Sequence, residues 1–209
     1  MCRIFGYGED AFTLWALKRH VSKILQEFQD KTALLKCLIF YRPSFGRCSR
    51  KDCSVFGEFD AIIVSLEKVY LIESKWDNLG EFDNSEFTLR KEQNLRHKIF
   101  SWYLTHWKKK YSNKWEVFER ENQHAFGKRF RGKTIAPAGS LLARNLEFIL
   151  TKSIEHCKGL SSLDDVKNVM LFFYNKNKST SPTKITRTFK LIPIDYSKET
   201  EANFIILEP

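Results

Sequence analysis

The sequence predicts an α/β protein with a mixed central β-sheet flanked by helices, and three observations carry that expectation. Two short β-branched runs, Ala61 to Val64 and Val69 to Ile72, stand on either side of the polar break Ser65-Leu66-Glu67-Lys68 and read as a β-hairpin. Segments with apolar residues at three-and-four spacing, the mark of amphipathic helices, lie both before and after it. Further strand-like runs follow towards the C-terminus, so helices and strands are interspersed along one chain.

Taken in order, the segment from Glu9 to about Gln29 carries Leu14, Leu17, Val21, Ile24, Leu25 and Phe28 at helical spacing. Glu9 and Asp10 fall in its first turn, where the helix dipole favours negative side chains. Ala33 to Tyr41 is apolar except for Lys36 and reads as a buried strand, ended by Pro43, Ser44 and Gly46. The loop that follows holds Arg42, Arg47, Arg50 and Lys51 against Asp52, which suits either solvent or phosphates. After the hairpin comes a polar loop from Trp76 to Asn84. A helix then starts with Ser85 as its cap and carries Leu89, Leu95, Ile99, Trp102, Tyr103 and Trp107. Pro137-Ala138-Gly139 introduces another helix, with Leu141, Leu142, Leu146, Ile149, Leu150 and Ile154 on its apolar face, ending near Gly159. Strands are expected at Asn168 to Tyr174, Thr186 to Ile194 and Asn203 to Leu207. The last two either extend the sheet or form a side ribbon.

The 209 residues suffice for one well-filled domain, and nothing in the composition forces a second. The expected layout is a core over about 6–111 and 137–175, a basic insertion over about 108–136 and C-terminal strands over about 185–208. No run is long and apolar enough to span a bilayer and no basic-then-apolar leader opens the chain, so an intracellular (cytoplasmic) protein without membrane partners is expected. Five cysteines with no C-x-x-C argue against a disulfide scaffold. Cys48, Cys53 and the pair His156-Cys157 do not have the spacing of known zinc ribbons.

Lysine and arginine outnumber aspartate and glutamate by 35 to 25, a formal charge of +10, which points to a polyanionic partner. Nine of these cations lie between Lys108 and Lys133, against Glu116, Glu119 and Glu121, with Trp107, Tyr111, Trp115, Phe126 and Phe130 interleaved. Cations that neutralise phosphates beside rings that stack on bases make a nucleic-acid surface, and the expectation is strongest for Lys128, Arg129, Arg131 and Lys133, where Gly127 and Gly132 allow close backbone approach. The alternative is that the rings pack inward and the cations solubilise.

The acids gather at the hairpin. Asp60 opens the first strand, and Glu73 and Lys75 stand two apart at the end of the second, on one face. If Asp60 and Glu73 pair across the turn, two carboxylates and an ammonium converge in a way that suits a hard divalent cation, Mg²⁺ or Mn²⁺, and metal-assisted phosphodiester hydrolysis.

The stretch Gly57-Glu58-Phe59-Asp60 followed by Leu71-Ile72-Glu73-Ser74-Lys75 resembles the core motif of the PD-(D/E)xK nuclease superfamily, in particular its Holliday-junction-resolvase and restriction-endonuclease-like branches. The resemblance implies a restriction-endonuclease-like αβββαβ core carrying an inserted basic helical region. It implies a Mg²⁺-dependent endonuclease acting on DNA, with Asp60 and Glu73, joined by the Ser74 carbonyl, as metal ligands and Lys75 positioning the attacking water. In the family the first helix often adds an acid, and Glu9 is the position that matches. RecB-like members place Gln-x-x-x-Tyr on the following helix; here the match is Gln93-Asn94-Leu95-Arg96-His97, with histidine in place of tyrosine. Gln93 would then reach the site and Arg96 a phosphate; the alternative for both Gln93 and His97 is the polar face of an amphipathic helix. A non-catalytic DNA-binding protein on the same fold and an RNA-directed nuclease are the other functions compatible with the sequence, and a homodimer is compatible with either.

Overall fold

The structure, a computed structural model, describes residues 3–44, 57–77, 86–87, 89–158, 160, 162–185 and 188–207. In chain order its elements are β1 (Ile4–Gly6), α1 (Glu9–Arg19), α2 (Val21–Glu27), β2 (Leu38–Tyr41), β3 (Ala61–Val64), β4 (Val69–Trp76), β5 (Glu86–Phe87), α3 (Lys91–His106), α4 (Trp115–Arg129), α5 (Leu141–His156), β6 (Val166–Tyr174), β7 (Lys184–Ile185), β8 (Lys190–Asp195), β9 (Thr200–Glu201) and β10 (Phe204–Leu207).

The central sheet has five strands in the order β2-β3-β4-β6-β8. The first three run antiparallel, and β4, β6 and β8 run parallel, so the sheet is mixed. Residues of β3 and β4 are apolar on both sides because both faces of the sheet are covered. Ala61, Ile63, Tyr70 and Ile72 face α1 and α2 through Phe12, Trp15, Ala16, Ile24 and Leu25. Ile62, Val64, Val69 and Leu71 face α3, α4 and α5. At the closed end of the hairpin, Asp30 accepts hydrogen bonds from Ser65 Oγ at 2.5 Å, Tyr70 Oη at 2.7 Å and Thr32 N at 2.9 Å. Burial pushes the Asp30 pKa up, but these bonds outweigh it and hold the carboxyl below its usual range.

Four expectations need correction, and one strand lies where none was expected. Trp76 ends β4 rather than opening the polar loop. The first helix is two: His20 adopts φ −122° and ψ 8° between α1 and α2, its ring edge-on to Trp15 at 4.7 Å. The apolar run from Ala33 is not a buried strand, because Leu34–Lys36 forms a 3₁₀ turn and β2 lies at the sheet edge, with Leu35 fully exposed and Ile39 39% exposed. The helix after the polar loop starts at Lys91, with Arg90 as N-cap, and Ser85 lies outside the described residues. The chain before α1 holds a strand, β1, which pairs antiparallel with β10 and makes the side ribbon β1-β10-β9. Of the two late strands, β8 extends the central sheet as its other edge, where Pro193 is tolerated.

The aromatic residues of the basic segment are core. Trp107, Tyr111, Trp115, Phe126 and Phe130 are each at most 7% exposed, and they pack on Trp102, Tyr103 and Phe118. They are not free to stack on bases. Gly127 sits inside α4, whereas Gly132 turns the chain at φ +76° just beyond it.

Candidate active site

The site forms where the backbone ladder between β3 and β4 ends. Asp60 N–H donates to Ile72 O at 3.2 Å while Asp60 O accepts from Arg42 N at 3.1 Å. A regular strand residue points both groups to one neighbour, so the chain turns at Asp60 and leaves β4 uncovered beyond it. The exposed edge of β4 is then occupied by carboxylates. Asp60 Oδ2 accepts Ser74 N–H at 2.6 Å, and Glu9 Oε2, from the first turn of α1, accepts Trp76 N–H at 3.2 Å. Strand alternation directs the Ser74 carbonyl to the same edge. Gly8, the N-cap of α1, supplies no side-chain cap, and the first acid of the helix reaches across to the sheet.

Glu73 follows Asp60 in register, since Ala61 pairs with Ile72. Its carboxylate faces α3 and is 2% exposed. Gln93 Nε2 donates to Glu73 Oε2 at 3.0 Å; Arg96 Nη2 and His97 Nε2 contact Oε1 at 2.5 and 2.9 Å. Gln93, Arg96 and His97 project from one face of α3 because residues three and four apart are neighbours on a helix. Gln93 is held by a second bond, its Oε1 accepting Arg90 N–H at 3.1 Å. The other nitrogen of His97 meets Asn168 Oδ1 on β6 at 2.8 Å, and Asn168 Nδ2 donates to Thr188 O at 3.1 Å. Both ring nitrogens thus face side-chain oxygens, which fixes the orientation of the ring.

The two carboxylates of the hairpin are driven in opposite directions. Burial, then the charge of Glu73, with Glu9 adding to it, pushes the Asp60 pKa up to about 7 against the Ser74 N–H and Arg96. Burial acts upward on Glu73 too, but the hydrogen bond and charge of His97 and then Arg96 outweigh it and hold Glu73 below its usual range. Lys75 Nζ lies 3.5 Å from Glu9 Oε2, both side chains being partly exposed.

Six of the residues singled out in the sequence therefore come together: Glu9, Asp60, Glu73, Lys75, Gln93 and Arg96. Lys128, Arg129, Arg131 and Lys133 do not join them. They lie at and beyond the C-terminal end of α4, which packs on the α3 residue Trp102 through Phe126 at 4.9 Å. Trp102 is about 9 Å further along α3 than Arg96, at about 1.5 Å of rise per residue. Arg42 is engaged by Asp10 and, at 2.8 Å, by Glu58; Arg47, Arg50 and Lys51 lie outside the described residues. So do Cys48 and Cys53, while Cys157 is buried and His156 Nε2 meets Lys36 O at 2.5 Å. The sequence reading missed His97 as a partner of Glu73 and Asn168 as the residue that holds His97. The signal for His97 was its place on the face of α3 shared with Gln93 and Arg96.

The donor set consists of hard oxygens, Asp60, Glu9 and the Ser74 carbonyl, with Glu73 beside them, which fits Mg²⁺ or Mn²⁺. Asp60 Oδ1 has no hydrogen-bond partner among the described residues. Yet among the described residues no three His, Cys, Asp or Glu side chains form a group that could hold a metal ion. The lone pairs of Glu73 are spent largely on Gln93, Arg96 and His97.

No protein-family model, curated protein or solved structure matches this chain. Among the described residues no helix is long and apolar enough to cross a membrane.

Proposed function

We propose that the protein is a metal-dependent nuclease of the PD-(D/E)xK type that hydrolyses phosphodiester bonds of DNA, with α1, β2–β4, α3 to α5 and β6 as its restriction-endonuclease-like core. The observation that carries this reading is the end of the hairpin, where Asp60 and Glu9 carboxylates line the uncovered edge of β4 with Glu73 and Lys75 next to them. Burial first, and then the charges of Glu73 and Glu9, make the ionised form of Asp60 costly, and a cation bound there would offset both effects.

Asp60, Glu9 and the Ser74 carbonyl would hold the Mg²⁺ or Mn²⁺ ion, with Glu73 completing the set. When bound, the ion supplies Lewis-acid stabilisation of the phosphate and a water of lowered pKa. Lys75, steadied by its ion pair with Glu9, orients the attacking water by a hydrogen bond from Nζ. Arg96 neutralises the substrate phosphate, and the exposed cations Lys128, Arg129 and Arg131, with the half-buried Lys133, track the backbone farther along. The aromatic side chains of that segment belong to the fold, so affinity there rests on charge.

The saturation of Glu73 by Gln93, Arg96 and His97 favours one second reading, a non-cleaving DNA-binding protein on the same fold. Melting temperature measured against Mn²⁺ for the wild type and Asp60→Asn separates the two. The nuclease reading expects a saturable rise in the wild type, about 2.7 kcal/mol at a hundredfold excess over Kd, and its loss in the variant. No rise in the wild type removes the metal and leaves the second reading.

A further inference from the structure

Arg96 is held in an unusual way for a cation on a site surface. Its Nη2 binds Glu73 at 2.5 Å, its side chain is 13% exposed, and its Nε is buried with no hydrogen-bond partner. The guanidinium carbon lies 5.2 Å from the centre of the Phe59 ring. Nη1 lies against Gly57, where an added Cβ would sit only 2.2 Å away. Gly57 thus leaves the room that lets the guanidinium lie over Phe59 and reach Glu73, while part of its donor fork stays unused.

A guanidinium pairs equally well with a carboxylate and with the non-bridging oxygens of a phosphodiester. In the free protein the nearest anion is Glu73, and Arg96 therefore stands on the oxygen that a cation needs. Gln93 and His97 hold the same carboxylate independently, so Glu73 stays oriented when Arg96 leaves.

We propose that Arg96 is a phosphodiester-responsive latch: paired with Glu73 Oε1 in the free protein, it moves to a substrate phosphate and leaves on that oxygen, which keeps its His97 contact, a lone pair that would serve a metal ion. The proposal rests on the nuclease reading of the site. Its consequence is that cation and DNA bind cooperatively, each tightening the other by the same factor because binding free energies are linked. The free protein binds the cation with an incomplete ligand set.

The test is the affinity for Mn²⁺, read from the electron paramagnetic resonance signal of the free ion, with and without a short phosphorothioate DNA duplex. Wild type, Arg96→Gln, Gly57→Ala and Asp60→Asn are compared. DNA should tighten Mn²⁺ binding to the wild type by about tenfold or more, within the usual range of site coupling. Arg96→Gln should bind Mn²⁺ more tightly than the wild type without DNA, and the effect of DNA should shrink correspondingly. Gly57→Ala displaces Arg96 without removing its charge, so the same change there excludes a mere loss of positive field. It also carries the test alone if Arg96→Gln fails to fold. Equal Mn²⁺ affinity of the DNA-free wild type and both latch variants, with binding lost in Asp60→Asn, overturns the latch and leaves the cation site standing. No Mn²⁺ binding in any form, with or without DNA, overturns both.

Discussion

Asp60 and Glu73 sit on adjacent strands, and what surrounds each carboxylate decides how it responds to pH. Asp60 has an ordinary value of 3.8 raised to about 7, so between about pH 4 and 7 the folded protein keeps a proton that the unfolded chain has lost. Stability from this group therefore falls as pH rises through that window. Asp60→Asn, with the amide oxygen still able to accept Ser74 N–H, removes the slope. Chelator-treated variant and wild type should unfold alike in urea near about pH 4, and near about pH 8 the variant should be the more stable by on the order of 1 kcal/mol or more. Equal stability at both pH values would mean that Asp60 is solvated and unperturbed. Glu73 has the opposite sign: its lowered pKa stabilises the fold above the unfolded value, and that contribution is lost as pH falls through the folded one. Lys75 contributes at this scale too. Its only ionic contact among the described residues is Glu9, so Lys75→Ala should leave DNA affinity nearly unchanged and lower the cleavage rate by about a hundredfold or more. Full activity in that variant would make the lysine a bystander.

At the scale of the element, α4 divides its work between two faces. Phe126 is fully buried against Trp102 and Tyr103, and Phe126→Ala should cost about 3–5 kcal/mol in denaturant unfolding. Replacing Lys128, Arg129 and Arg131 together by Ala should leave stability nearly unchanged. It should instead reduce the slope of log DNA affinity against log salt by up to about 0.9 per lost phosphate contact. An unchanged slope would move the DNA elsewhere on the surface. The interleaving of rings and cations was visible in the sequence, but which way the rings point was not, because the partners Trp102 and Tyr103 belong to another helix. The same holds for β2: its apolar run reads as interior, and only the sheet order reveals an edge strand that packs on the core through Leu38 and Phe40 on one face. On α3 the i, i+3, i+4 spacing of Gln93, Arg96 and His97 was legible, while their shared target, Glu73, lies twenty or more residues away in the chain.

Over the whole molecule, the sequence was most informative where structure is local. The hairpin and its polar turn, the helix introduced by Pro137-Ala138-Gly139 and the placement of Asp60, Glu73 and Lys75 at the strand end are set by residues close in sequence or by strand alternation. The β1–β10 ribbon joins the two ends of the described chain, and the His97–Asn168 bond joins residues 71 apart; neither has a local signature. The mixed sheet brings these distant parts together and sets Glu9 from α1, Asp60 from the end of β3 and Gln93 from α3 around one strand terminus. Whether that constellation breaks phosphodiester bonds is read most directly by incubating the protein with duplex, single-stranded and branched DNA in Mg²⁺ and in Mn²⁺, beside Asp60→Asn and Glu73→Gln. If the site is catalytic, the wild type cleaves at least one of these DNAs in a metal-dependent way and both variants lose that cleavage. Cleavage that persists in the variants, or a wild type that binds these DNAs and cleaves none of them with either metal, would contradict the nuclease reading.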